Sequence, residues 1–198
     1  RRFGVGRSGL PTTLINTRRI GGKPLEPKLA PDYEISDREL DQPVELAAAV
    51  KVTGQSGRIR YGAMAAFEDD FKFDAELNGE PVHLEGEPSD YAVARILYED
   101  APGGAYKALG YISTAILNDN RQAKTHGIDA HYLSAGGKLT FDGQLFLSDI
   151  VDEETGQGGF LDFEYNFRKG VTQRLGIEWA DDHVNINDMG FIGRNSYR

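Results

Sequence analysis

Two carboxylates two residues apart on an extended chain point the same way, and the sequence offers such a pair in Asp162 and Glu164. Their Cα atoms would lie about 6.5 Å apart on one strand face, a spacing compatible with the two-carboxylate chemistry that cleaves glycosidic bonds. Asp142 with Asp129, or with Glu178, would make similar pairs across strands. Lys138, Arg168 and Arg174 interleave with these acids, and alternating cations and carboxylates also line polar channels by mutual charge balance. A charge-balanced lining is the simpler account: no nucleophile, base and orienting group converge by spacing, and no G-x-S-x-G elbow is present. No catalytic residue is assigned from this pattern.

The other reactive residue types carry less. His126 and His131 are five apart, which places them on opposite faces of a strand, and His83 and His183 are remote from both. Without cysteine or an H-E-x-x-H segment, no metal site is expected. The acidic stretch "DEETGQG" lacks the ordered oxygen spacing of a calcium loop and reads as solvated charge. "GVGRSG", Gly4 to Gly9, fits G-x-G-x-x-G, but no strand precedes it and Pro11 follows, so no nucleotide cofactor is expected.

The elements that would position these residues are strands. Leu46, Ala48, Val50 and Val52 alternate with more polar neighbours, "GQSG" turns the chain, and Ile59, Tyr61, Ala63, Ala65 and Phe67 then share one face against Arg58, Arg60, Met64 and Glu68. Further strands are expected at 91–99, 109–117 (apolar or small on both faces), around Ile128 to Tyr132, at 139–148, at 161–168 and at 174–179. Short turns (GQSG, APGG, SAGG, RKGV) are interspersed with longer acidic loops at 69–90, 118–126 and 149–158, the first with room for a short hairpin across "ELNGEPVHL". No helical period is sustained anywhere. Residues 1–44 hold five of the eight prolines and read as an irregular N-terminal segment, a plug or loop, with one extended piece around Thr12 to Ile15.

Composition narrows the classes. Across 198 residues the formal net charge is −9, which argues against a phosphate footprint and hence against nucleic acid as a partner. No run of 18 apolar residues occurs, which removes a transmembrane helix but not a transmembrane barrel, whose strands need only about 9–11 alternating residues. The chain opens without Met or an apolar leader, so a targeting signal is expected elsewhere in the parent protein.

A soluble antiparallel sandwich or barrel would also alternate in this way. Three details favour the membrane: strands of about 9–11 residues, the mixture of short turns and long loops, and aromatics near strand ends (Tyr61, Phe67, Tyr91, Tyr98, Tyr132, Phe167, Trp179) where an interfacial girdle would lie.

Four segments, "NTRRIGG" (16–22), "AAAVKVTGQSG" (47–57), "DYAVARI" (90–96) and "NDMGFIGR" (187–194), resemble the motifs of an uncharacterised outer-membrane β-barrel family of Gram-negative bacteria, in the same order. In that family the barrel typically follows a family-9 carbohydrate-binding module. The insert from Lys23 to Pro43 is longer and more acidic than the family pattern, and no such module is present here. The resemblance implies an outer-membrane location, outer-membrane lipid and the remainder of the parent chain as partners, and a link to a glycan or another small solute. It marks Arg18, Arg19, Asn187, Asp188, Gly190 and Phe191 as motif residues, with Asn187 and Asp188 capping a turn, Gly190 and Gly193 allowing close backbone approach, and Phe191 near the membrane interface in a new strand that is expected to find no partner in the remaining sequence.

The expected fold is therefore all-β, an antiparallel up-and-down meander of roughly eight long strands over residues 45–198, part of a transmembrane barrel it does not close by itself. Arg58, Arg60, Asp142, Gln144, Asp162, Glu164, Arg174 and Glu178 are expected to line the interior, with no cofactor and no metal. The expected role is solute passage or docking without covalent chemistry. The alternatives are a soluble carbohydrate-binding β-sandwich or barrel, and a glycosidase-like hydrolase.

Overall fold

The computed structural model describes residues 12–25 and 30–192. In chain order the strands are β1 (Thr12–Thr13), β2 (Tyr33–Ile35), β3 (Leu46–Ser56), β4 (Ile59–Glu68), β5 (Lys72–Leu77), β6 (Glu80–Glu85), β7 (Asp90–Asp100), β8 (Tyr106–Asn118), β9 (Arg121–Leu133), β10 (Leu139–Ile150), β11 (Gly156–Arg168), β12 (Val171–Ala180) and β13 (Phe191–Ile192), with one α-helix, α1 (Asp37–Leu40). The fold is an all-β antiparallel meander: β3, β4 and β7 to β12 form one eight-stranded sheet in the order β12-β11-β10-β9-β8-β7-β4-β3. Its strands are 10 to 13 residues long, about twice the usual length. Among the described residues β3 and β12 do not pair with each other, so each leaves one edge open.

At one end of the sheet the connections are short turns at 57–58, 101–105, 134–138 and 169–170. At the other end the 69–89 connection carries the β5–β6 hairpin, which β2 extends into a three-stranded sheet. Asn78 and Gly79 turn that hairpin with φ of 52° and 84°, the doubly positive geometry that a tight two-residue turn needs and that Asn-Gly supplies at least strain. The acidic Lys23–Pro43 insert thus supplies an edge strand and α1, whose Ser36 caps the helix by accepting from Glu39 N.

Alternation gives the sheet two unlike faces. Outward from the core lie large apolar side chains left exposed, among them Val50, Val52, Ile96, Leu109, Ile128, Leu145, Leu175 and Ile177, with Val52 57% and Leu145 56% accessible. The opposite, inner face holds the core. Leu14, Val184, Ile186 and Ile192 pack on Ile112, Phe146 and Ala180, while Met189 joins Ala66, Tyr91, Ile116, Ala123 and Ile150, with Ile20 and Leu25 against them. Segments 12–25 and 181–192 therefore cover the inner face at the long-loop end, and burial of each large side chain there contributes about 1.5–3 kcal/mol. The strand expected at 109–117 is apolar or small on its inner side because these segments cover it there, Ile112 and Ile116 being buried beneath them.

Four expectations are corrected. Residues 118–126 are not a loop: β8 and β9 meet at Asp119–Asn120, and 121–126 are strand. Tyr91 does not join an outer aromatic belt, since it is 4% accessible on the inner face. The strand begun at Phe191 does have a partner, because Thr12 and Thr13 pair with Ile192 and Phe191. Asp188 does not cap a turn but forms an ion pair with Arg121, Nε to Oδ1, at 2.8 Å. The Gly4–Gly9 motif and Gly193 lie outside the described residues.

Candidate functional site

The uncovered half of the inner face, toward the short turns, is polar. Register places Leu97, Gly110, Asp129, Gln144, Phe160 and Glu178 side by side across β7 to β12. One step nearer the short turns lie Glu99, Ala108, His131, Asp142, Asp162 and Gly176, and beyond them Thr140, Glu164 and Arg174. Arg60 on β4, opposite Leu97, closes the first row. Seven of the eight residues expected to line an interior thus share this one face, while Arg58 sits in the β3–β4 turn and pairs with Asp100 at 3.1 Å.

Most of the charges here are committed to partners. Arg95 Nη2 donates to Asp129 Oδ2 at 2.9 Å and contacts Oδ1 at 2.8 Å. These two residues are on β7 and β9, so the pair must cross β8, and it does so above Gly110. A Cβ there would lie 2.7 Å from Arg95 Nη2 and from both Asp129 oxygens, so a side chain at 110 would push the bridging groups from their present positions. His131 then links two acids, Nδ1 to Asp142 Oδ1 at 2.5 Å and Nε2 to Asp129 Oδ2 at 3.2 Å. Glu164 accepts from Arg174 Nε at 2.8 Å, Arg60 pairs with Glu99 at 3.0 Å, and Tyr106 donates to Glu99 at 2.7 Å. Asp129 is 2% accessible, so this network is partly removed from water and its hydrogen bonds are correspondingly strong. Gln144 is also buried, and its Oε1 has no hydrogen-bond partner among the described residues.

At the covered end a second buried acid, Glu68, is satisfied without a cation. It accepts from Ser89 N at 2.9 Å and from the Tyr91 hydroxyl at 2.7 Å.

The candidate hydrolytic pairs fare differently. Asp142 and Asp162 are direct cross-strand neighbours, but Asp142 bonds His131, and Glu164 is held by Arg174. A general acid of this kind sits in an apolar setting, whereas Glu164 lies against the Arg174 guanidinium. His126 lies on the outer face, stacked on Tyr111, whose hydroxyl is 2.9 Å from Nδ1. No group of three or more His, Asp or Glu side chains among the described residues is arranged to hold a metal ion. Of the motif residues, Arg18 and Arg19 are exposed in a 3₁₀ turn, and Asn187 Oδ1 accepts from Ile192 N at 3.0 Å. Phe191 is partly exposed, and Gly190 makes the expected close approach, since a Cβ there would collide with Thr13 O and lie 2.8 Å from Ile186 O.

Arg95 and the window at Gly110 escape sequence reasoning. The available signal was parity within "DYAVARI", which sets Arg95 on the same face as Tyr91, Val93 and Leu97; nothing in the sequence pairs it with a residue on a strand two places away.

No family model matches the chain, and no curated protein or solved structure does so.

Proposed function

We propose that the eight long strands are an arc of an outer-membrane β-barrel, non-enzymatic, whose polar inner face passes or docks a small solute. The observation that carries this reading is the course of the exposed apolar residues. On β4 they run from Ile59 to Phe67 and on β7 from Ala92 to Tyr98; on β9 Lys124 and His126 are polar and the apolar positions run only from Ile128 to Tyr132; on β11 they run from Leu161 to Phe167. Along a single row, Ala94, Ser113, His126 and Leu147 are register neighbours, so the apolar run that covers β4 and β7 is interrupted at β8 and β9 before it resumes on β10. The band is oblique to the rows, as a bilayer of constant thickness requires of tilted strands.

Two further features support the reading. Edges of 11 and 10 residues, without proline, are left open at β3 and β12, whereas soluble sheets blunt such edges. An eight-stranded barrel has an interior just filled by its own side chains, and here segments 12–25 and 181–192 already occupy the inner face, so further strands would complete a wider barrel. By the usual asymmetry the short turns face the periplasm and the β2-β5-β6 sheet lies outside. The polar, hydrogen-bonding face suits a neutral polyhydroxylated solute, and a glycan is the candidate that the family resemblance adds.

The test is expression of the full-length protein with its own signal. It should partition with outer membranes into detergent and migrate differently on a gel before and after boiling. A protein that stays soluble and monomeric without detergent would reverse the reading and leave the carbohydrate-binding sandwich in its place.

A further inference from the structure

The segment that follows β12 does not leave the sheet. It doubles back over the inner face, and several independent features seat it there. Glycines make the room: a Cβ at Gly156 would collide with the backbone of His183 and Val184, and one at Gly127 with the Leu14 side chain. Ser148 Oγ donates to Asn185 O at 2.6 Å and accepts from Asn185 N at 3.2 Å, holding the segment by its backbone in both directions. Arg121 reaches Asp188 at 2.8 Å and Glu153 at 3.2 Å from the tight β8–β9 turn. The N-terminal piece clasps the far side through the β1–β13 pairing and Asn16 N to Met189 O at 2.5 Å.

The inner face is thus divided into a floor at the long-loop end, where Thr114 and Thr125 are buried, and an open polar half at the short-turn end. We infer that residues 181–192, clasped by 12–16, form an internal gate latched by Ser148–Asn185 and Arg121–Asp188, and that a solute in the polar half moves past the long-loop end only when this segment lifts. The contacts differ in kind from those that build the sheet: buried apolar side chains, a short two-residue pairing and scattered polar contacts such as Arg121–Asp188 and Ser148–Asn185 hold the gate, whereas continuous ladders hold the strands. Local opening without sheet unfolding is the expected behaviour of so unequal a pair.

The inference rests on the barrel reading for its function but not for its test. The chain has no cysteine, so single substitutions give unique thiols. Thr125→Cys lies under the gate; Thr53→Cys lies exposed on the inner side of β3; Ala108→Cys is buried on the inner face away from the gate. Labelling with a water-soluble maleimide, on the full chain in detergent, should be slow at Thr125→Cys and fast at Thr53→Cys. Adding Arg121→Ala or Ser148→Ala should raise the Thr125→Cys rate about tenfold each, the factor for one charge-assisted or well-formed hydrogen bond, with Arg121→Lys restoring part of the protection. Ala108→Cys should stay protected throughout, which separates gate opening from unfolding. Equal labelling at Thr125→Cys and Thr53→Cys in the unaltered chain, or a Thr125→Cys rate indifferent to both latch variants, would overturn the inference. A gated protein that remains soluble would instead remove the membrane reading and leave the gate standing.

Discussion

Ala94 and His126 occupy the same row of the outer face, with Ser113 between them, and arginine at the two positions should have opposite consequences. Ala94 lies inside the apolar band on β7, among Ala63, Ala92, Ala115 and Val52, a hollow of small side chains with room for a longer one. Steric cost is therefore small, and solvation decides. If the face meets lipid, Ala94→Arg costs about 2–4 kcal/mol near the midplane, and His126→Arg, beyond the edge of the band, about 0–1 kcal/mol. If the face meets water, both are exposed surface changes and fall within about 0.5 kcal/mol of zero. The predicted gap is thus about 1–4 kcal/mol in lipid and close to zero in water. Urea unfolding from phospholipid vesicles, followed by emission of the single tryptophan, Trp179, would measure both. Equal effects at the two sites would refute the oblique lipid band and with it the main support for the membrane assignment.

Three further experiments probe the inner face by the same unfolding measurement or by activity. Gly110→Val should force Arg95 from Asp129 and cost about 1.5–3 kcal/mol, the range for a charge-assisted hydrogen bond, and should cost much less once Arg95→Ala and Asp129→Asn have already removed the pair. Tyr91→Phe removes a donor from buried Glu68 and should destabilise by about 1.5–3 kcal/mol, with Glu68→Gln recovering part of the loss in the Tyr91→Phe background because no charge is then stranded. Oligosaccharide hydrolysis should be absent from the purified protein and from Asp162→Asn and Glu164→Gln alike; turnover that the two variants abolish would establish the hydrolase instead.

The strands were legible where burial differs between their faces. Ile59 to Phe67 and Leu139 to Ser148 alternate as read, because an apolar outward side and a polar or packed inward side repeat every two residues. The first half of β9 was not legible, and the reason is physical. There the outward positions, Gln122, Lys124 and His126, have left the apolar band, while the inward ones, Ala123, Thr125 and Gly127, are small to admit the covering segments. Neither face is oily enough to beat with a period of two. Parity set seven of the eight polar residues on one face of the sheet, but their partners were not legible, since Arg95 reaches across a whole strand over Gly110. The covering segments were least legible: Leu14, Ile186 and Met189 are isolated apolar residues in irregular chain, and only the three-dimensional sheet shows what they lie on.

The pairing of Thr13 with Phe191 joins positions nearly 180 residues apart in sequence. Every ladder in the large sheet, by contrast, joins strands that are neighbours or separated by one hairpin, so the meander can grow locally, strand upon strand, with modest loop-closure entropy at each step. The clasp has no such local route. The surface it lies on is assembled from β4, β7 to β10 and β12, so the clasp is a contact of very high sequence separation that is expected to form late. A chain halted before that step would present a finished sheet whose inner apolar rows, Ile112, Ile116, Phe146 and Ile150, are bare, and this unfinished form, rather than the unfolded chain, is the species that an assembly factor would have to shelter.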